Sequence, residues 1–133
     1  MFKVVGLHHV AVLVKNLEAA SATFQHNFGF PLESRYEMPQ FNVRNVFLTV
    51  GGAALELLSP IDPDAEPGAR LAQVGEGLYH LVLRVDDLDA ALADLRAKGI
   101  KVSDPHYAPD VAGRVVAISP RQSHGAAILL TGQ

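Results

Sequence analysis

The chain has 133 residues, 49% of them hydrophobic and 19% charged, a balance typical of one globular domain and not of a disordered chain. Eleven basic against fourteen acidic residues give a formal net charge of -3 without a run of like charges, which argues against a nucleic-acid or an anionic-membrane partner. The absence of cysteine excludes disulfides, thiolate metal ligands and cysteine nucleophiles.

The first predicted elements are a strand and a helix. Residues 7–14 form an unbroken run dominated by aliphatic side chains, typical of a β-strand. Asn16 is a candidate helix N-cap, apolar residues recur at helical spacing up to Phe28, and Gly29 stands where a left-handed C-cap is expected. Residues 1–14 lack a signal-peptide cleavage pattern and are too short to span a bilayer, so we expect a cytoplasmic protein.

Three further strands are predicted before the middle of the chain. A short strand near 30–36 precedes strands at 43–50 and 53–59, and Gly51-Gly52 is typical of the hairpin turn between the latter two. The proline- and acid-rich stretch that follows predicts a linker over residues 61–75.

The second half of the chain repeats the first. Residues 7–14 align with 78–85 at an offset of 71, and 52–58 align with 125–131 at an offset of 73. Two matches in the same order indicate a duplicated unit. We therefore expect a single α+β domain of two β-α-β-β modules, about 1–60 and about 76–133.

The second module has its own predicted elements. Asp87 is a candidate N-cap for a helix whose apolar residues run from Leu88 to Leu95, and Gly99 is a candidate C-cap. Strands are predicted near 114–119 and 125–131, with a loop over 107–113 before them.

Strand periodicity places four polar side chains on one face of the predicted sheet. In the first strand the valines at alternate positions form the face expected to pack on a helix, which leaves His9 on the opposite face. The same alternation puts Glu56, His80 and Arg84 on that opposite face. Two imidazoles and one carboxylate that converge there predict a site for a divalent metal, Zn, Fe, Co, Ni or Mn.

Other interpretations of these residues stay open. A glutamate inside an apolar strand is costly to bury unless it is paired, and a Glu56–Arg84 ion pair would satisfy it without a metal. A single histidine at a strand start is usually a hydrogen-bonding core residue, although a duplicated pair is harder to explain by packing alone. His124 precedes the last strand and could reach the rim of the site.

Several segments, in order along nearly the whole chain, match the pattern of a known family. They are Leu7–Val12, Gly29, Glu56–Pro60, Gly75–His80, Val85–Leu88, and Ser119–Pro120 ahead of His124–Gly125. With these segments the chain resembles the vicinal oxygen chelate superfamily, the glyoxalase, bleomycin-resistance and dioxygenase proteins, and within it the methylmalonyl-CoA epimerases.

The resemblance implies an architecture and a ligand set. Members have two β-α-β-β-β modules that form a cupped mixed sheet around a central cavity for metal and ligand. The first and last strands of each module supply the ligands, which implies His9, Glu56 and His80 here. The fourth ligand position falls on Leu129, which cannot coordinate a metal.

The resemblance also implies a chemistry, a metal-dependent isomerase or glyoxalase-type lyase that acts on a proton α to a carbonyl. The epimerases of this kind use two carboxylates, whose positions align with Leu129 and Asn45, so this chain departs from both. Glu56 is then the candidate base, with His124 or a metal-bound hydroxide as the alternatives. Asn45, Arg84 and His124 are candidate contacts to a substrate, which could be a thioester. A homodimer is implied by the family alone.

Two alternative functions remain within the same superfamily. One is a non-haem iron dioxygenase of the extradiol type, which also uses two histidines and one carboxylate. The other is a metal-free protein that binds or sequesters a small molecule, as the bleomycin-resistance members do. Metal content separates the second from the enzymes.

Overall fold

The computed structural model describes residues 1–132, which form a mixed α+β fold with all eight strands in one sheet. The strands are β1 Val4–Leu13, β2 Leu32–Met38, β3 Val43–Val50, β4 Ala53–Pro60, β5 Gly77–Val85, β6 His106–Ala108, β7 Gly113–Ile118 and β8 Ile128–Gly132. The helices are α1 Leu17–Phe28, α2 Gly68–Val74 and α3 Leu88–Ala97. The hydrogen-bonded strand order is β2-β3-β4-β1-β5-β8-β7-β6. Across residues 1–132 no helix combines the length and the apolar character needed to cross a membrane.

The first compact unit comprises His9–Tyr79. Its strand β4 pairs in parallel with β1 and antiparallel with β3, which in turn pairs antiparallel with β2. Helix α1 begins after Asn16, whose side-chain oxygen accepts from the amide of Ala19, and ends at Gly29 in the left-handed conformation. Both predicted caps of this helix are therefore confirmed.

The second compact unit combines Met1–His8 with the described residues from His80 onward. Here β8 pairs in parallel with β5 and antiparallel with β7, and β7 pairs antiparallel with β6. The side chain of Asp87 accepts from the amide of Ala90 and caps α3, as predicted. The helix ends at Ala97, and Gly99 follows with a φ of +78°.

The strand registers of the two units confirm the internal duplication. Glu56 lies beside Ala11 in the parallel β1–β4 pair, and Leu129 lies beside Val82 in the parallel β5–β8 pair. These two pairs are related by the same offsets of 71 and 73 that the sequence shows. A third echo, which the sequence comparison missed, lies in the 3-10 turns that begin at Pro39 and Pro109.

Three predicted loops and strands need correction. Residues 107–113 are not one loop, because β6 occupies His106–Ala108 and a 3-10 turn follows at Pro109–Val111. The last strand begins at Ile128 and not at 125, since Gly125 belongs to a turn and residues 126–127 are in neither a helix nor a strand. The predicted linker 61–75 contains helix α2. The division into modules 1–60 and 76–133 stays a prediction.

The core of each unit lies between its strands and its helix, and the predicted strand faces are confirmed. In the first unit Leu57 is fully buried in a cluster with Val14, Val46 and Leu48, against which residues of α1 pack. Leu58, the next residue along β4, belongs to a different cluster on the opposite face of the strand. The second unit repeats this arrangement, with Val85, Val116 and Leu130 packed with residues of α3. The alternation therefore leaves Glu56 on the face away from α1.

Candidate metal centre

Three side chains that the sequence analysis selected come together. His9, Glu56 and His80 each offer one ligand atom, and these atoms all lie within 4.8 Å of one another. His9 and Glu56 are buried and His80 is half-buried. Within residues 1–132 this is the only group of three or more histidine, aspartate or glutamate side chains with the spacing to hold a metal ion.

The first unit positions two of the three groups by its strand pairing. Because β1 and β4 run parallel with Ala11 beside Glu56, the Nε2 atom of His9 lies 3.1 Å from the Oε1 atom of Glu56. The ring of Phe47, directly across from Glu56 on β3, packs edge-on against the His9 ring with 4.9 Å between centroids. This contact restricts the rotation of the imidazole.

Asn45 contacts the other oxygen of the same carboxylate. Its Nδ2 donates a hydrogen bond of 2.7 Å to Oε2 of Glu56, and its side chain is 1% exposed. The Oδ1 atom of Asn45 is buried and has no hydrogen-bond partner among the described protein groups. A buried polar atom left in this way costs about 1–3 kcal/mol, so packing alone does not explain an asparagine at this position.

The donor set fits a divalent metal of the borderline class. Two imidazole nitrogens and one carboxylate oxygen are common ligands of Zn, Fe, Co, Ni and Mn in proteins. Burial of the Glu56 carboxylate among apolar neighbours is costly unless cationic or hydrogen-bonding groups offset its charge. A divalent cation next to His9 and His80 would offset it, so the residues present fit the ion.

The second unit has apolar residues at the positions equivalent to Glu56 and Asn45. Leu129 corresponds to Glu56 through its register with Val82, and Val115 corresponds to Asn45 through its antiparallel partner Thr131. The two polar residues of the first repeat are therefore replaced together in the second.

The remaining candidate residues lie elsewhere. Arg84 is exposed and lines a pocket of the second unit together with His8 and Thr131, whereas the oxygens of Glu56 face His9 and Asn45. The contacts described for Glu56 are therefore to His9 and Asn45, and they differ from the Glu56–Arg84 ion pair that the sequence analysis left open. The roles of Arg84 and of Asn45 toward a substrate stay predictions.

His124 precedes the last strand, as the sequence analysis expected, but it does not directly adjoin that strand. It ends a 3-10 turn over Pro120–Ser123 in the left-handed conformation, with a φ of 56°, and its side chain is exposed. Three residues separate it from the start of β8 at Ile128. A role for His124 at the rim of the site also stays a prediction.

The sequence analysis missed two side chains of this region. Phe47, which packs on His9, shares the face of β3 that carries Asn45, and strand alternation from Asn45 would have found it. Tyr79 packs with Leu71 of α2 against the cluster of Leu58, and burial, with a smaller contribution from Glu66, raises the pKa of its phenol.

Comparison with known proteins identifies one superfamily. A model of the Glyoxalase/Bleomycin resistance protein/Dioxygenase superfamily matches residues 8–118. The chain is 30% identical to the human mitochondrial methylmalonyl-CoA epimerase over 127 residues, which cover 93% of this chain and 72% of that protein. It is 31% identical over 98 residues to the ethylmalonyl-CoA/methylmalonyl-CoA epimerase of Cereibacter sphaeroides, with 72% of each chain covered.

Solved structures agree with the sequence matches. The crystal structure of methylmalonyl-CoA epimerase from Mycobacterium tuberculosis superposes with a TM-score of 0.90 at 28% identity, over 97% of this chain and 88% of that one. A Streptomyces coelicolor methylmalonyl-CoA epimerase variant in complex with 2-nitronate-propionyl-CoA superposes with a TM-score of 0.91 at 26% identity, over 98% and 99%. The chain belongs to the Glyoxalase/Bleomycin resistance protein/Dioxygenase superfamily, with methylmalonyl-CoA epimerases among its homologues.

Proposed function

We propose that the chain is a metal-dependent isomerase that acts on the proton α to the carbonyl of an acyl-CoA thioester, as the epimerases do. The observation that carries the proposal is the convergence of the ligand atoms of His9, Glu56 and His80 within 4.8 Å. In this proposal all three are metal ligands, and Glu56 leaves its ligand position when it acts as the base. When bound, a divalent ion acts as a Lewis acid that polarises a substrate oxygen and so lowers the cost of removing the neighbouring proton.

Glu56 is the residue that we assign as the base. Its Oε1 faces His9 and its Oε2 is held by Asn45, so the carboxylate is buried and oriented. A carboxylate that accepts the α-proton needs to lie within hydrogen-bond reach of the substrate carbon, and a base of this kind contributes about 10²- to 10⁴-fold to the rate. The family's other acid positions hold Leu129 and Asn45, which leaves Glu56 as the acid of this set. Glu56 can remove and return the α-proton on one face of the substrate, whereas inversion also needs a proton donor on the opposite face.

Support for an acyl-CoA substrate comes from the homologues. One solved methylmalonyl-CoA epimerase is in complex with methylmalonyl-CoA and NH4+, and it superposes on this chain with a TM-score of 0.91 at 26% identity. We propose Asn45, Arg84 and His124 as the contacts to the substrate. The exposed guanidinium of Arg84 suits a carboxylate or a phosphate of such a molecule.

Elemental analysis of the untagged protein tests the metal site. We expect close to one equivalent of a divalent transition metal in the wild type and a loss of most of it in His80→Ala. The control is His26→Ala, which removes an exposed histidine on α1. A wild type without metal that also shows no metal-dependent thermal shift would refute the enzyme and favour a binding or sequestering protein.

Exchange of the α-proton tests the reaction. The metal-loaded protein is incubated with methylmalonyl-CoA in D2O, and deuterium at the α-carbon is followed by mass spectrometry or NMR. We expect exchange with the wild type, a decrease of about 10²-fold or more with Glu56→Gln, and no change with the exposed control Glu18→Gln. A metal-loaded wild type that exchanges no α-proton would rule out this substrate class.

The donor set also favours a second candidate. Two histidines and one carboxylate with open positions are the ligands of non-haem iron oxygenases. In that case the protein retains Fe(II) tightly and consumes oxygen when a catechol is added. Absence of oxygen uptake by the Fe(II)-loaded protein would remove this candidate. A homodimer, expected from the family, is tested independently by light scattering.

A further inference from the structure

We propose that Asn45 is a positioning residue that holds the Glu56 carboxylate as a metal ligand through one oxygen. The inference rests on the proposed function only in that it requires the metal site of His9, Glu56 and His80. Asn45 itself need not touch the metal or the reacting atoms in this role.

Asn45 and His9 lie at different oxygens of the Glu56 carboxylate. Asn45 pairs with Leu58 across the antiparallel β3–β4 ladder, so Glu56 is its diagonal neighbour on the same face. The Nδ2 atom of Asn45 donates a hydrogen bond of 2.7 Å to Oε2 of Glu56, while Oε1 of Glu56 lies 3.1 Å from Nε2 of His9. One oxygen is thus occupied by an amide donor, and the other is directed to the side of the first histidine. Groups that hydrogen-bond to a metal ligand orient it and strengthen the site.

The duplicated strand pair of the second unit provides an internal comparison. Val115 is the equivalent of Asn45 and Leu129 is the equivalent of Glu56, on strands with the same pairing. Where the acid is absent, the amide is absent too, and a buried valine occupies its position. The fold of the strand pair therefore does not require asparagine, and the presence of Asn45 follows the presence of Glu56.

The carbonyl half of the Asn45 amide supports the same role. Since Nδ2 donates to a carboxylate, Oδ1 is the acceptor left over, and it has no protein partner within residues 1–132 although the side chain is buried. An apolar side chain of similar size would avoid that cost. The asparagine is kept for its donor to Glu56 and not for packing.

The test is the metal affinity of Asn45→Leu. Titration calorimetry with Zn²⁺ and with Co²⁺ is expected to show affinity about 10- to 100-fold weaker than in the wild type, the usual loss when a group behind a metal ligand is removed. The control Ser21→Ala also removes a buried polar group of the first unit, but on α1 and away from Glu56. The visible absorption of the Co²⁺ protein should change in Asn45→Leu and not in Ser21→Ala, because a released carboxylate can bind through both oxygens.

The outcomes separate this inference from the proposed function. A wild type that binds no metal overturns the proposed function and this inference with it. A wild type that binds metal, with Asn45→Leu equal in affinity and in Co²⁺ spectrum, overturns the inference alone. If Asn45→Leu does not fold, Asn45→Ser replaces it, since a short hydroxyl cannot reach Oε2 and the same loss is expected.

Discussion

Leu129 occupies in the second unit the register position that Glu56 occupies in the first. Glu56 lies beside Ala11 and Leu129 beside Val82, each in a parallel strand pair. The two repeats therefore have two equivalent positions, of which one carries the carboxylate that we propose as a metal ligand and the other a hydrocarbon side chain. A site with three protein ligands leaves an open position on the metal for water or substrate, as catalytic zinc sites do.

Leu129→Glu is expected to add the missing ligand. With a fourth protein donor the affinity for Zn²⁺ or Co²⁺ should rise by about tenfold or more, which corresponds to about 1.4 kcal/mol. Titration calorimetry measures the change. Leu129→Met is the matched control, because it keeps an apolar side chain of similar volume without an oxygen donor. Equal affinity in Leu129→Glu and Leu129→Met would show that this position does not face the metal.

Glu56→Gln is expected to separate stability from metal binding. In the metal-free protein the substitution removes a buried charge and keeps the side-chain volume, so the free energy of unfolding should change little or rise. The stabilisation by metal, about 2.7 kcal/mol at a concentration one hundred times Kd, should be lost. Thermal unfolding with and without Zn²⁺ gives both quantities. A variant that keeps the full metal-dependent shift would exclude Glu56 as a ligand.

Leu57→Ala tests the helix-packed face that sets the orientation of Glu56. Leu57 is fully buried in the cluster beneath α1, and truncation of such a residue costs about 2–5 kcal/mol. Urea unfolding at pH 7 measures the loss. Val50→Ala, at a half-exposed position of β3, should cost far less. Similar losses for the two variants would contradict the assigned face of β4.

The two helix caps are expected to contribute about equally to stability. Asn16 caps α1 and Asp87 caps α3 through equivalent side-chain oxygens, so each alanine substitution should cost about 1 kcal/mol. Asn16→Asp and Asp87→Asn keep an acceptor and should cost little. Urea unfolding of the four variants checks the pattern, which fails if the conservative changes cost as much as alanine.

Two exposed ion pairs predict part of the acid dependence of stability. Hydrogen bonds from Arg35 to Glu18 and from Arg114 to Asp89 lower the pKa of each carboxyl below its usual value. Because the folded pKa is lowered, the stabilisation is present above the unfolded pKa of about 4 and is lost as the pH falls through the folded pKa. The effect of Glu18→Gln or Asp89→Asn should be small, since both pairs are exposed.

Urea unfolding at pH 7 and at pH 3 tests this dependence. The difference in unfolding midpoint between wild type and each variant should shrink at the lower pH. A difference that is the same at both pH values would show that the carboxylate charge does not contribute.

Much of the fold and the three candidate ligands of the site follow from the sequence pattern. Aliphatic alternation and the repeat predicted β1, β5 and the faces of their side chains, and short polar residues predicted both helix caps. The short strand β6 was missed because it has only three residues and precedes a proline turn. Helix α2 was missed because its seven residues follow a proline-rich stretch without a capping side chain.

What the sequence determined by itself is the identity and the face of the three candidate ligands, since alternation along a strand and duplication of a unit are local rules that need no coordinates. Only the tertiary structure decided which groups meet the carboxylate of Glu56. Asn45 donates to Oε2 and His9 lies at Oε1, because the registers of β1, β3 and β4 are set by pairing between distant segments and by side-chain packing. Such registers depend on contacts across the chain, which no local pattern specifies.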